Sequence, residues 1–479
     1  MSTPKRLLYI ILGPAIYAIV TLLLSNAFGT SGAEAVGVLL WMVFWWITRP
    51  VHMTVTALVP IFVNALFNII PMGDITSQYF SDSIILIFGS CLLTVPWKST
   101  GLDNRVALKA LSIIGPSMKS QITVWLLVSM LLSTVLPNVA VCALLVPIAV
   151  AMLHAAGYKD ISKAEPAVPI LLCIGWGVGL GGVGSPLGGA MNVAAISFIE
   201  DFTGHEFMYV DWVIRILPFF IISTIVMLLA MLFMHRGAPS LEGTKEYFKE
   251  SYAALGPMKK DEKVCASLFI LALIGAFTRP LFAKALPALA PAYIFLILGS
   301  LAFFISIKNK GVLLTWETAQ EGTMWGMMLL FGGGLALGKL VNSSGAGDSI
   351  AQVVTNMNLN GGLVTIIIIT IFAVLMSEAT NSTVSAAVVV PIVLSFTSQN
   401  NLNPIPYWFI AIMAYNSEFL LPISVRAIPV GYGLNPSTMM KRGIPMVLIR
   451  MLVVIVVGYA CMKLWPTFSN ISYLTNLPK

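Results

Sequence analysis

The chain has 479 residues, of which 58% are hydrophobic and only 10% are charged. Soluble domains carry roughly a quarter charged residues, so this composition excludes a soluble protein and indicates an all-α polytopic membrane protein. The net charge of +7 is expected from cytoplasmic loops, which collect Lys and Arg, and we expect no nucleic-acid partner.

The first quarter of the chain contains apolar runs long enough to enter a bilayer. They predict spans at about Leu7–Leu24, Ala33–Ile47 and Val55–Ile70, and a fourth that begins near Ser83. We interpret the first run as an uncleaved span rather than a signal peptide, which places the N-terminus in the cytoplasm.

Two interrupted segments follow. Residues 122–153 form apolar arms around Leu136-Pro137-Asn138, and neither arm reaches the ~20 residues that a crossing needs. This pattern predicts a re-entrant helical hairpin whose tip lies at membrane depth, inside protein or a water-filled cavity. Residues 167–199 are a span broken by the glycine-rich run GWGVGLGGVGSPLGGAMN.

The same order recurs after a polar cytoplasmic linker, Arg236–Lys263. A second hairpin is predicted at 363–397, with Glu378, Thr380, Asn381, Ser382 and Thr383 at its tip, and a second broken span at 407–436. Placing the basic loops in the cytoplasm makes the two hairpins enter from opposite sides. This arrangement is an inverted-topology repeat, and paired interrupted segments are the best indication of a transporter's site.

The predicted organisation has about 11 spans in five parts. Scaffold spans occupy 1–80, the first transport repeat 81–211, linking and scaffold spans 212–322, the second transport repeat 323–440, and the final span with the C-terminus 441–479.

The hairpin tips could bind an anion. Asn138 and either Asn381 or Ser382 lie where each returning helix starts, and helix starts present free N–H groups with partial positive charge. Two such ends facing each other would receive an anion with two separated negative groups. The alternative is that these residues are ordinary caps of buried helices, but their repeated arrangement favours the binding site.

The glycines between Gly175 and Gly189 allow the backbone to approach a ligand, and so many glycines are expected to prevent a stable helix there. For Gly332, Gly333 and Gly334, close helix packing is an equally good explanation.

Arg426 is the most informative charge, because it falls within the second broken span and a central Arg costs at least ~2.5 kcal/mol on insertion scales. A functional role is favoured over snorkelling or a structural pair with Glu378. A role for Glu378 as an ion ligand is left open. Five scattered cysteines and four dispersed histidines indicate no disulfide framework, metal site or cofactor, and no HExxH, GxSxG or DxD motif suggests an enzyme.

At these residues the sequence resembles the divalent anion/sodium symporter (DASS) family of di- and tricarboxylate carriers. The matching stretches are Pro137-Asn138-Val139, Asn381-Ser382-Thr383, GGVGSPLGGAMN (Gly181–Asn192), FGGGLALGK, and the hairpin exits Val146-Pro147-Ile148 and Val390-Pro391-Ile392. The resemblance implies a homodimer that works as an elevator in a bacterial cell membrane, with substrate carboxylates held by the tips. The expected substrate-binding residues are Pro137, Asn138, Val139, Gly182, Gly184, Thr380, Asn381, Ser382 and Thr383.

The sequence departs from the family pattern at two places. The first tip carries Pro137 and Val139 instead of hydroxyl residues, and the second break reads Val425-Arg426-Ala427-Ile428 instead of Thr-Pro-Pro-Asn. A fixed guanidinium should repel sodium and replace its charge, and an empty carrier with that uncompensated charge would cross the membrane poorly. The expected function is therefore sodium-independent exchange of C4–C5 dicarboxylates (malate, succinate, fumarate or 2-oxoglutarate). The alternative is a sodium-coupled symporter of dicarboxylates, citrate or sulfate.

Overall fold

The computed structural model describes residues 3–307, 311–347, 361–416 and 418–474. The helices of the first half are Thr3–Thr48, Met53–Thr56, Val59–Phe67, Met72–Thr76, Asp82–Thr100, Leu102–Leu111, Met118–Ser133, Asn138–Ala155, Ala167–Gly182, Ala190–Thr203 and Tyr209–Met234. Those of the second half are Thr244–Ala254, Lys260–Phe277, Arg279–Phe282, Pro291–Leu301, Trp316–Gly322, Trp325–Ser343, Leu363–Ala379, Ser382–Gln399, Pro404–Tyr415, Ala427–Gly431, Pro436–Leu464 and Pro466–Ser469.

Short elements complete the described chain. Single 3-10 turns form at Ser77–Phe80, Ile161–Lys163, Pro186–Gly188 and Ser424–Arg426, and two strands, Ser306–Ile307 and Gly311–Val312, pair antiparallel. Within the described residues, six helices are long and apolar enough to cross a membrane, or seven if the bent pair Trp316–Gly322 and Trp325–Ser343 is one span.

The N-terminal element, Thr3–Thr48, is two helices rather than one. Gly29 has φ 70° and ψ 164°, which is not helical, and the chain reverses there. The indole nitrogen of Trp45 donates to the carbonyl of Tyr9 at 3.0 Å, so the two arms run side by side. This hairpin of long arms agrees with the first two predicted spans.

The segment predicted to span at Val55–Ile70 is different. It forms two short helices, Met53–Thr56 and Val59–Phe67, and ends at Asn68, whose φ of 50° is left-handed. Pro60 begins the second of them, since its missing N–H is tolerated at a helix start. Neither helix reaches the ~20 residues of a crossing.

Both predicted hairpins form as pairs of helices. The first consists of Met118–Ser133 and Asn138–Ala155, and the second of Leu363–Ala379 and Ser382–Gln399. Their arms have 16 to 18 residues, because polar tips interrupt each apolar run.

Each hairpin packs against a broken span. Ala167–Gly182 contacts both arms of the first hairpin, and Pro404–Tyr415 contacts both arms of the second. The half-helix Ala190–Thr203 then packs on Ser382–Gln399, which joins the two repeats. Breaks and tips are thereby brought to the same depth of the bundle.

The glycine-rich run does not prevent a helix, and that expectation was wrong. Ala167–Gly182 is helical throughout, and the break covers only residues 183–189. A Cβ on Gly181 would overlap the backbone of Met130, and one on Gly177 would lie 3.2 Å from the carbonyl oxygen of Leu126. Close contact with the hairpin arm therefore outweighs the low helix propensity of glycine.

The triplet Gly332–Gly334 also serves helix packing. A Cβ on Gly332 would lie 2.7 Å from the backbone of Tyr79, and one on Gly334 would lie 2.6 Å from the side chain of Ala387. The helix Trp325–Ser343 therefore lies tightly between the segment before Asp82 and the second hairpin.

Candidate functional site

The two hairpin tips and the two breaks line one cavity. The tips contribute Pro137, Asn138, Val139, Asn381, Ser382 and Thr383, and the breaks contribute Leu187, Gly189, Ala190, Met191, Asn416, Glu418, Ser424, Val425 and Arg426. Neighbouring helices add Ser90, Cys91, Met324 and Met327. The fold thus brings together parts of the chain nearly 300 residues apart.

The second tip is capped in the way the sequence predicted. Asn381 is extended, and its side-chain oxygen accepts the N–H of Val384 at 2.9 Å, as an N-cap residue does. The next N–H, that of Ser382, donates to Oε1 of Glu418, and the Ser382 hydroxyl donates to the same oxygen at 2.5 Å. A carboxylate of the chain itself therefore lies at the start of this helix.

The first tip is built differently, because Asn138 does not cap its helix. Pro137 is the N-cap residue, Asn138 is the first helical residue, and no side chain of the described residues caps this helix. In the amide orientation that gives both its oxygen and its nitrogen suitable partners, the nitrogen of Asn138 lies 2.8 Å from the carbonyl oxygen of Gly188. The same nitrogen lies 2.5 Å from the hydroxyl of Ser133. Asn138 therefore connects the hairpin to the first break and leaves the N–H groups of the first turn uncapped by side chains.

Arg426 lies between two carboxylates. Its Nη1 donates to Oε2 of Glu378 at 2.9 Å, and its Nη2 lies 3.2 Å from Oε2 of Glu418. Only 1% of the Arg426 side chain is exposed. Glu378 also accepts the N–H groups of Phe419 and Leu420, at 2.6 and 3.0 Å. The predicted uncompensated charge is therefore absent: with both carboxylates ionised, these three side chains carry a formal charge of −1.

Three of the predicted substrate-binding residues do not line the cavity. Gly182 lies behind Asn138, and its carbonyl accepts the amide of Asn192 at 2.7 Å. Gly184 packs against Thr134, and the fully buried hydroxyl of Thr380 donates to the carbonyl of Met376 at 2.6 Å. These three residues therefore support the tips and the break without lining the cavity.

The most important residue that the sequence analysis missed is Glu418. It is an acidic side chain within the second broken span, and ionisable groups inside a membrane segment are usually functional, so this rule could have identified it. Ser424 and Asn416 were also missed, because single polar residues near an expected break carry no distinctive signal.

The arrangement is better suited to binding an anion than to catalysing a chemical reaction. Two helix starts on one cavity offer N–H groups and partial positive charge, and Arg426 lies beside one of them. No group of three or more His, Cys, Asp or Glu suited to a metal ion occurs within the described ranges. Apolar helices around a cavity that both interrupted repeats line define a multi-pass membrane transporter.

The sequence profile of the family described as "Citrate transporter" (CitMHS) matches residues 43–414. Since this covers more than half of the chain, the protein belongs to the citrate transporter family. The resemblance to di- and tricarboxylate carriers that the motifs indicated is thereby confirmed, as is the assignment as a transporter and not an enzyme.

Individual relatives extend the match over almost the whole chain. The sodium-dependent dicarboxylate transporter SdcS of Staphylococcus saprophyticus is 26% identical over 99% of this chain and 94% of the relative. SdcS of Staphylococcus aureus is 28% identical over 96% and 92%. The solved YdaH transporter of Alcanivorax borkumensis superposes with a TM-score of 0.49 at 13% identity, covering 82% of this chain and 88% of that one.

Proposed function

We propose that this protein is a carrier that moves C4–C5 dicarboxylates together with sodium ions. Malate, succinate, fumarate and 2-oxoglutarate are the candidate substrates. Two helix starts on one cavity match an anion with a carboxylate at each end. The dicarboxylate transporters among the relatives, which are aligned over more than 90% of the chain, support this substrate class.

The observation that carries the proposal is the charge of the cavity. Among the described residues that line the cavity, Arg426 is the single basic side chain, and Glu378 and Glu418 more than offset its charge. Together with Arg49, which interacts electrostatically with Arg426, these side chains are formally neutral, and a dianion would bring the local formal charge to −2. Burying such charge uncompensated costs several kcal/mol per ion, so cations must accompany the substrate. Sodium is the natural candidate, because the relatives are named sodium-dependent.

This reasoning reverses the preference for sodium-independent exchange. Exchange was expected because an empty carrier with an uncompensated guanidinium would cross the membrane poorly. The premise is wrong, since the guanidinium of Arg426 contacts two carboxylates. An empty site in which two carboxylates contact the guanidinium has no uncompensated positive charge there that would repel sodium.

Uptake by proteoliposomes tests the substrate class. Purified protein should accumulate labelled succinate, and unlabelled malate, fumarate and 2-oxoglutarate should compete at similar concentrations. Citrate and sulfate are the matched controls, because they carry comparable charge with a different size or spacing. Uptake that sulfate suppresses and malate does not would contradict the dicarboxylate assignment.

We also propose that the carrier is a homodimer with an elevator mechanism, in a bacterial cell membrane, with its N-terminus in the cytoplasm. Residues 81–211 and 323–440 would form the moving transport domain, and 1–80, 212–322 and 441–479 the scaffold and linking spans. The motif resemblance supports this, as does the sharing of one cavity by both repeats. A monomeric mass for the detergent-solubilised protein would contradict the dimer.

A further inference from the structure

The two hairpin tips of the cavity differ in one respect that the repeat does not explain. At the first tip, no side chain in the described part of the chain caps the helix Asn138–Ala155. At the second tip, the carboxylate of Glu418 accepts both the N–H and the hydroxyl of Ser382. One helix start is thus open to the cavity, and the other is occupied by a carboxylate from the chain.

The position of Glu418 is the one that a substrate carboxylate would take. It lies at the N-terminus of an 18-residue helix, and its other oxygen is 3.2 Å from Nη2 of Arg426. Helix start and guanidinium together are the preferred partners of a bound carboxylate. Glu418 lines the cavity with 13% of its side chain exposed, so a ligand can reach it.

Arg426 gives an independent indication that this position is a ligand site. Its side chain is 1% exposed and lines the cavity, yet its Nε has no hydrogen-bond partner among the described residues. Buried guanidinium groups normally satisfy their donors, so an unused donor beside a cavity indicates a group that is not in place. Glu418 contacts Nη2 of Arg426 but leaves this Nε donor unused.

We propose that Glu418 is a tethered competitor of the substrate. In the empty carrier its carboxylate fills the anion position at the second tip, and an arriving substrate carboxylate displaces it from Ser382 and Arg426. This inference rests on the proposed function for the nature of the substrate. It adds that the empty site is already filled by an internal anion, so the carrier can return without substrate.

Glu378 is the natural comparison, because it contacts the same guanidinium but does not line the cavity. It accepts the N–H groups of Phe419 and Leu420, so it holds the loop of the second break. Removing its charge should weaken substrate binding by loosening this loop. Removing the charge of Glu418 should strengthen binding, because it removes a competitor and a like charge.

The experiment measures succinate binding to purified, full-length protein by calorimetry at a fixed sodium concentration. Glu418→Gln and Glu418→Ala should bind succinate at least about tenfold more tightly than the wild type, which corresponds to ~1.4 kcal/mol. Glu378→Gln should bind it more weakly. A loss of affinity in both Glu418 variants, similar to that of Glu378→Gln, would overturn the proposal and make Glu418 a structural residue.

Sulfate provides a second probe that does not depend on the natural substrate. A vacated helix start beside Arg426 should bind this small anion in Glu418→Ala and raise its melting temperature, with no such shift in the wild type. If the wild type binds no dicarboxylate but Glu418→Ala is stabilised by sulfate, the proposed function fails and the competitor role stands. If the wild type binds succinate and Glu418→Ala gains neither succinate affinity nor a sulfate shift, the competitor role fails alone.

Discussion

Glu378 and Arg426, 48 residues apart in the chain, form a buried ion pair in which Nη1 of the arginine lies 2.9 Å from Oε2 of the glutamate. Glu378 lies in the last turn of the first arm of the second hairpin, and Arg426 lies at the end of the second break. The pair therefore fastens the hairpin to the broken span at the edge of the cavity.

Breaking this pair should be costly. Arg426→Gln leaves the buried carboxylates of Glu378 and Glu418 without their guanidinium, which destabilises a protein by about 3–5 kcal/mol. Glu378→Gln should cost less, because Arg426 keeps its contact with Glu418. The double variant Glu378→Gln/Arg426→Gln removes both charges and should recover part of that loss. Thermal unfolding in detergent measures the effect, with the exposed Lys441→Gln as a control that should change little. Single variants as stable as Lys441→Gln would show that the pair contributes nothing.

Two neighbouring glycines should respond differently to alanine. Gly181→Ala places a methyl group into the backbone of Met130, and such overpacking costs about 1–3 kcal/mol. Gly179→Ala meets no atom within 4 Å and lies in a helix that alanine favours, so its stability should be unchanged or slightly higher. Melting temperatures of the two variants check this. Equal loss in both would contradict the packing explanation.

The cap at the second tip should matter for both folding and binding. Asn381→Ala removes the acceptor for the N–H of Val384 and should cost about 1 kcal/mol of stability. Since Asn381 lines the cavity, it should also lower succinate affinity. Asn435→Ala is the matched control, because Asn435 caps the exposed start of Pro436–Leu464. It should lose similar stability without a change in affinity.

The hairpins and broken spans were predictable to within a few residues. Their arms are short apolar runs interrupted by polar tips, a pattern that depends only on local sequence. The helix through Gly182 was not predictable in this way, because it depends on contacts with Leu126 and Met130 of another element. Thr380 does not line the cavity because of the backbone conformation at the tip, where Thr380 has ψ −100°.

The charges of the site illustrate the same limit. The sequence identified Arg426 and left its pairing with Glu378 open as an alternative. Glu418 and Arg426 are only eight positions apart, but the loop between them brings the carboxylate back to Ser382. This contact between Glu418 and Ser382 depends on tertiary structure, and no periodicity in the sequence indicates it.

Substrate should protect the cavity from a thiol reagent. In a Cys91→Ser background, Ser424→Cys should react with a water-soluble thiol reagent, because Ser424 is exposed and lines the cavity. Saturating succinate should slow that reaction severalfold. Ser437→Cys, exposed outside the cavity, should react at the same rate with and without succinate. A Ser424→Cys rate that succinate does not change would place the substrate elsewhere.

The most direct test of sodium-coupled transport is net uptake into proteoliposomes that contain no dicarboxylate. An inward sodium gradient should drive labelled succinate above its external concentration, and a sodium ionophore should abolish that accumulation. Uptake that requires internal dicarboxylate and ignores the sodium gradient would contradict the account and restore exchange.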